Sequence, residues 1–441
     1  MSLFARLGLR TREQRAWAMY DWANSAMVTV IVAAVFPVFF ASVAAGNLPP
    51  ETATFRYSVA TTLSLAIVAI LAPVLGAIAD RLPLKKRLLG IFMGIGAVAT
   101  AMMFSIGPGG WLLAAVLFGF ANIGANGSFV FYDSLLPHVA GTDEIDRVSS
   151  AGYALGYIGG GLLLAGALGL ILHPEWFALP MANDPDPGRA SLPARISFLA
   201  VAAWWLAFSI PLFRQVPEPT VRKSGREERA RDATRTAISR LAATFRELRR
   251  YRNAFLMLIA FLAYNDGIGT IIRMAAIYGS EIGIGRNALI GAILMVQFIG
   301  FPCAILFGGL AGRIGAKRCI LIGLGIYTLI SIVGYAMTTA AHFYMMAALV
   351  GLVQGGTQAL SRSLFGSMIP RHASGEFFGL FAVSEKFAGI LGPALFGLMI
   401  ALTGSSRSAI LSVIAFFAIG AILLGMVDVD EGRRAVRDLN K

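Results

Sequence analysis

Residues 76–89 read GAIADRLPLKKRLL, and residues 308–321 read GGLAGRIGAKRCIL. The two stretches match at Gly, Ala, Arg and Lys with an offset of 232. A second pair, SLLP at 134–137 and SMIP at 367–370, repeats with an offset of 233. Two separate matches at nearly one spacing indicate an internal duplication. Each copy of the longer motif follows the second long apolar segment of its half, so the chain divides into two like units of six segments.

Those segments number twelve, at 16–43, 57–79, 88–107, 111–135, 150–172, 195–213, 254–279, 287–312, 319–339, 342–366, 376–402 and 407–427. Each is about 20 residues or longer, enough to cross roughly 30 Å of hydrocarbon as a helix. The composition agrees: 57% of the 441 residues are hydrophobic, 14% are charged and the mean hydropathy is +0.72. Soluble domains carry about 25% charged residues. The sequence therefore predicts an all-α membrane protein of twelve transmembrane helices in two six-helix bundles. The expected domains are an N-terminal bundle over 1–213, a basic linker over 214–253, a C-terminal bundle over 254–427 and a tail over 428–441.

The net charge of +13 invites a nucleic-acid reading, but the basic residues are sorted by loop and not gathered into a patch. Counting alternate loops, one side holds about 29 of the 37 Lys and Arg, and the other about five. This asymmetry is that of cytoplasmic loops, so the protein is expected in a cell membrane with both termini on the cytoplasmic side. The linker places Ile238, Leu241, Phe245 and Leu248 at helical spacing among arginines. It reads either as a helix lying on an anionic leaflet or as a solvated charged connection. Cys303 and Cys319 sit in or beside apolar segments, with neither a disulfide framework nor metal-ligand spacing. No cleavable leader is evident, because the first apolar run is long enough to be retained as a helix.

The longer repeat motif, GAIADRLPLKKR, resembles the loop motif between the second and third spans of the major facilitator superfamily. YDWANSA at 20–26, YNDGIGT at 264–270, QGGTQALSRSLFGSMIP at 354–370 and GEFFGLFAVSEKFAGILGP at 375–393 are similar to its vacuole-effluxer-like branch. One eukaryotic member of that branch exports amino acids from the vacuole. The resemblance implies the major facilitator fold, a secondary transporter and a central cavity lined by the leading helix of each three-helix unit. Pro83 stands where the loop motif usually has glycine, and Gly312 replaces the acid at Asp80 in the second copy. An Asp80–Arg81 gate is therefore expected only in the N-terminal half.

The intramembrane polar residues fall mostly in spans one, four, seven and ten, those same leading helices. A charge at mid-membrane costs on the order of 2.5–3.5 kcal/mol on insertion scales, so each needs a reason. Span one carries Asp21 and Asn24; span four carries Asn122, Asn126 and Asp133; span seven carries Asn265, Asp266 and Arg273. Span ten carries Gln354, Gln358 and Arg362 at i, i+4 and i+8, a single polar stripe. At 1.5 Å per residue Asp266 lies roughly 18 Å into its span, near the midplane, and Arg273 roughly 29 Å in.

Asp266, Asn265 and Gln358 are accordingly expected at a substrate site, with Asn24, Asn122, Asn126 and Gln354 around it. Asp21, Asp133 and Arg362 are expected to pair as a gate near the basic side, Arg273 near the other interface. Permanent structural ion pairs and interhelical hydrogen bonding are the competing readings. Glu385 and Lys386 form a further mid-depth pair, with Glu385 a candidate proton acceptor. Trp17, Trp22 and Trp111 near span ends read as interfacial anchors, and Pro37, Pro73, Pro302 and Pro393 as helix kinks.

The histidines lack metal-site spacing, and GGLAGRIGAKR lacks the Lys-Ser/Thr ending of a phosphate loop. No enzyme activity and no cofactor are expected, and energy must come from a gradient. The expected function is proton-coupled alternating-access transport of a small solute such as an amino acid or similar zwitterion, by a monomer among membrane lipids. A multidrug or metabolite efflux pump, and a non-transporting membrane sensor, are the alternatives.

Overall fold

The computed structural model describes residues 7–181, 183–220, 244–281, 286–387, 391–403 and 406–437. Long helices dominate: α1 (Arg12–Ala44), α2 (Pro50–Arg81), α3 (Lys85–Met102), α4 (Trp111–Val139), α5 (Ile145–Leu172) and α6 (Leu192–Gln215) form the first half. The second half comprises α7 (Arg252–Glu281), α8 (Arg286–Ile314), α9 (Ala316–Tyr335), α10 (Ala340–Ser367), α11 (Ser374–Phe387), α12 (Leu391–Thr403), α13 (Ser406–Ser412) and α14 (Ile414–Gly425). A short helix α15 (Val429–Arg437) follows. Among the described residues eleven segments are long and apolar enough to cross a membrane, the last being Arg407–Gly425 of α13 and α14, and α11 with α12 supplies the twelfth crossing. Twelve crossings return the chain to the face on which it began, here termed the basic face.

Local chemistry explains why α1 starts where it does. Thr11 accepts a hydrogen bond from the Gln14 amide (3.2 Å), and the Gln14 side chain accepts one from the Thr11 amide (3.3 Å), a reciprocal cap. The helix therefore begins a full turn before Trp17, which carries Trp17 and Asp21 into the bundle. Residues Met27–Val35 widen into a π-helix immediately before Pro37. Proline has no amide hydrogen and its ring crowds the carbonyl four residues back, here Ala33, so the regular ladder cannot run through.

Small residues bring helices of each bundle into backbone contact. A Cβ on Gly124 of α4 would lie 2.4 Å from the Gly96 Cα of α3, and Trp205 of α6 lies against Gly96. The two bundles meet along α2 with α11, and α5 with α8 and α10. At Gly76 a Cβ would lie 2.2 Å from the Gly375 carbonyl oxygen, and at Gly379 2.7 Å from that of Ala72. These contacts lie toward the basic face. Farther on, α12 packs on α7 and α13 within its own half, and no comparable contact joins it to α2 among the described residues. Along the α2 seam the halves thus close on the basic face and part toward the opposite one among the described residues, whereas Ile293 and Leu294 of α8 still pack against the N-terminal bundle.

Two expectations need correction. Trp17 is not an interfacial anchor: it is fully buried and stacks on Tyr132 with ring centroids 4.4 Å apart. The extended start of α1 explains this, since the membrane end of the helix is not its first apolar residue. Trp22 stacks on Trp204 inside the N-terminal bundle, whereas Trp111 carries Arg56 over its ring at 3.6 Å. Of the linker's apolar stripe, Leu248 is fully buried in the C-terminal bundle and Phe245 packs on Phe255, while Ile238 and Leu241 lie outside the described residues.

Gly124→Ala should lower stability by about 1–3 kcal/mol through overpacking, because backbone atoms of α3 cannot yield. Gly119→Ala, where a Cβ meets nothing within 4 Å, should be neutral or slightly stabilising. Unfolding both variants in one detergent checks the contrast.

Candidate functional site

Arg362 of α10 is the centre of a network that joins the two bundles. Its Nη1 donates to Asp133 Oδ1 of α4 at 2.9 Å, and its Nη2 to Asp21 Oδ2 of α1 at 3.2 Å. Nε donates to Ser149 Oγ and Nη2 to the Ser149 carbonyl of α5, both at 3.0 Å. The guanidinium also lies 4.5 Å from the Tyr153 ring centroid, 4.9 Å from Trp17 and 5.5 Å from Tyr132. Tyr132 in turn donates its hydroxyl to Asp21 Oδ2 at 2.8 Å, and Trp17 donates to the Tyr132 carbonyl at 3.0 Å.

Side-chain exposures of 2%, 5% and 16% for Arg362, Asp21 and Asp133 leave water little part in holding these charges. Every partner of Arg362 belongs to the other half. The three residues expected as a gate are therefore brought together, with Trp17, Tyr132, Ser149 and Tyr153 added. Sequence reasoning missed Tyr132, Ser149 and Tyr153 because Ser and Tyr are ordinary in membrane helices and carry no charge to betray a role, and it placed Trp17 at the interface instead.

A second layer lies closer to the basic face. Asp80 of α2 accepts from the amides of Gly375 (2.9 Å) and Glu376 (2.7 Å) in the first turn of α11. A carboxylate at a helix start meets free N–H groups and the positive end of the macrodipole. Lys85 Nζ bonds Asp80 at 2.8 Å and donates to Ser374 Oγ at 2.7 Å, and Ser374 donates to the Ser134 carbonyl at 3.0 Å. Gly312, the counterpart of Asp80, has open space beside it, so this layer exists in one copy only. Arg81 is exposed at the end of α2. Asp146 of α5, also unforeseen, accepts from Ser363 Oγ at 2.5 Å and pairs with Arg433 of α15 at 3.9 Å.

Deeper in the molecule, Gln358 Nε2 donates to Asn265 Oδ1 at 2.7 Å, joining α10 to α7. Asp266 is directed elsewhere: its Oδ2 accepts from the Gly392 amide of α12 at 2.8 Å, inside the C-terminal bundle. Asn24 donates to Ser128 (3.2 Å) and Asn122 to Ser64 (2.8 Å), each tying two helices of the N-terminal bundle. Asn126 donates to Asn122 Oδ1 at 2.7 Å, and Gln354 is half-buried one turn from Gln358. Gln297 of α8, unforeseen, donates to Thr29 of the π-helical segment at 2.8 Å.

Glu385 is exposed although it lies mid-span. It stands one turn beyond Ala382, which packs on Val68 and Val130, and Phe381, which packs on Phe261 and Phe365. That direction is the space between the halves. The side chains of Arg273 and Lys386 lie outside the described residues.

The model of the family described as vacuole effluxer Atg22-like matches residues 51–437. The chain belongs to that family. It is 36% identical over 420 residues to the Bacillus subtilis (strain 168) protein described as an uncharacterized MFS-type transporter, YxiO, covering 95% of each. It is 26% identical over 443 residues to autophagy-related protein 22-1 of Phaeosphaeria nodorum, covering 84% of this chain and 76% of that one. Among solved structures, the proton:xylose symporter XylE superposes with a TM-score of 0.70 at 13% identity, covering 98% of both chains. FucP in its outward conformation superposes at 0.68 and 12%, covering 94% of this chain and 98% of that one. The fold is that of the major facilitator superfamily, whose members are transporters and not enzymes.

Arg362→Ala strands two buried carboxylates, and breaking a buried pair in this way costs about 3–5 kcal/mol. The penalty falls only on the state closed at the basic face. A cysteine placed at Asn126 in a cysteine-free background should react at least about tenfold faster with an impermeant maleimide from that face, since 1.4 kcal/mol is already tenfold. An unchanged rate would remove Arg362 from the gate.

Proposed function

We propose that this protein is a gradient-driven carrier that moves a small polar solute by alternating access, with the Arg362 network as its gate on the basic face. The observation that carries this reading is that, among the described residues, charged contacts between the halves are confined to one side of the membrane. Among the described side chains, Arg362, Asp80, Lys85 and Asp146 all lie there, while the contact of Gln297 with Thr29 deeper in the membrane is uncharged; the side chain of Arg273, near the opposite side, lies outside the described residues. Breaking the network and closing the other side interconverts two states of one rocking pair of bundles, the usual operation of duplicated transporters.

The basic face is assigned to the cytoplasm of a cell membrane, on the excess of Lys and Arg. In the closed state Arg362 is fully engaged, so it cannot meet a substrate entering from the opposite face. Such a solute would instead encounter Asn126, Gln354, the Gln358–Asn265 pair and Glu385. Hydrogen-bonding amides beside one carboxylate suit an amino acid or similar zwitterion, which agrees with the effluxer description of the family. A multidrug pump would call for a more apolar lining. Glu385, positioned between the halves, is the proton acceptor in this scheme, and the working unit is a monomer.

In proteoliposomes loaded with candidate amino acids, an imposed pH gradient should drive flux of at least one of them. Glu385→Gln should abolish gradient-driven accumulation while retaining solute exchange at equal pH, because only the coupling group is lost. Gln358→Ala should raise KM about fivefold or more, as a lost hydrogen bond is worth about 1 kcal/mol. Undiminished coupling in Glu385→Gln removes the proton role from this residue.

A further inference from the structure

On the membrane-facing side of the N-terminal bundle, away from the transport path, an apolar groove of about 550 Å³ runs between α3 and α6. Its walls include Met93, Ala203, Ala207, Ile210 and Phe213, and it ends at Arg214. Ala203 and Ala207 stand one turn apart on α6, so the floor is low where neighbouring positions carry Leu or Ile. From Ala203 to Arg214 the groove spans about 16 Å along the helix, close to the ~15 Å hydrocarbon depth of one leaflet.

The groove is apolar along its length and cationic at its mouth. Arg214 is exposed at the basic face and makes no ion pair among the described residues. Lys86 Nζ reaches the same end of α6, donating to the carbonyls of Phe213 (3.0 Å) and Val216 (2.5 Å). The nearby Glu218 carboxylate is turned to the amides of Lys85 and Lys86, at 2.7 and 3.0 Å. Lys86 retains one ammonium hydrogen, and Arg214 its whole donor fork, for a ligand at the membrane surface.

We propose that this groove holds one anionic phospholipid, with an acyl chain along Met93 and Ala207 and its phosphate on Arg214 and Lys86. The chemistry matches in both parts: a hydrocarbon chain fits a wall without polar groups, and a bidentate guanidinium fits phosphate oxygens. A chain alone would be held no more tightly than bulk lipid, so the discrimination comes from the headgroup charge, worth about a fivefold preference per basic residue near the surface.

The test is native mass spectrometry of the full chain released from mixed micelles containing equal phosphatidylglycerol and phosphatidylcholine. The wild type should retain one phosphatidylglycerol in preference to phosphatidylcholine. Arg214→Gln should cut that preference about fivefold, and Ala207→Trp, which fills the groove, should remove retention of both lipids. Both positions face lipid, so the fold is untouched, and the wild-type competition alone is decisive. Equal retention of the two lipids, or a preference unchanged in Arg214→Gln, identifies ordinary surrounding lipid and overturns the proposal.

Discussion

A guanidinium taken out of water and shared between two carboxylates of the opposite bundle is the interaction on which the closed state depends. Desolvating three charges is expensive, and the interior returns that cost only when geometry is good and the remaining donors are satisfied. Here Arg362 spends its donors on Asp133, Asp21 and Ser149, while three aromatic rings cover its faces. Such an arrangement is highly sensitive to separation: a few ångströms of movement would strand all three charges. That sensitivity suits a contact that must be either made or broken.

Around this centre the duplicated halves contribute unequally. Asp80 and Gly312 occupy equivalent positions, yet only Asp80 reaches across, where it binds the start of α11. The α5–α8 interface on the other side of the pseudo-symmetry relies on Gly308 against Ser150 and Gly300 against Tyr157 instead of on a charge. One seam is therefore clamped by charge-assisted bonds and the other by close packing. Glycines at both seams let backbones touch without interlocking side chains, which permits the halves to tilt as bodies.

The fold was legible because hydrophobic length and loop charge are one-dimensional signals. Twelve apolar runs, a repeat offset near 232 and a strong Lys/Arg asymmetry are properties of the chain before it folds. The pairing of Asp21, Asp133 and Arg362 was legible for a related reason: an ionisable residue in a membrane helix is costly enough to mark itself, and three of them at similar depth imply mutual pairing. Asp266 was marked by the same cost, but its direction was not written in its spacing. Both the central cavity and the α7–α12 contact were open to a mid-span carboxylate, and the bond to the Gly392 amide turned it to the latter.

What the sequence by itself determined was therefore the number of crossings, their grouping into two halves, the depth of each charged residue and the family. What only the tertiary structure decided was direction and partnership. It decided that Trp17 packs against Arg362 and Tyr132 and not at the interface, that Ser149 and Tyr153 complete the Arg362 network, and that Glu385 faces the space between the halves. Depth follows from counting residues along a helix, whereas azimuth becomes meaningful only once other helices surround it. A side chain's partners come from segments more than a hundred residues away, as Asp21 and Arg362 do at |i−j| = 341, and no local spacing encodes them.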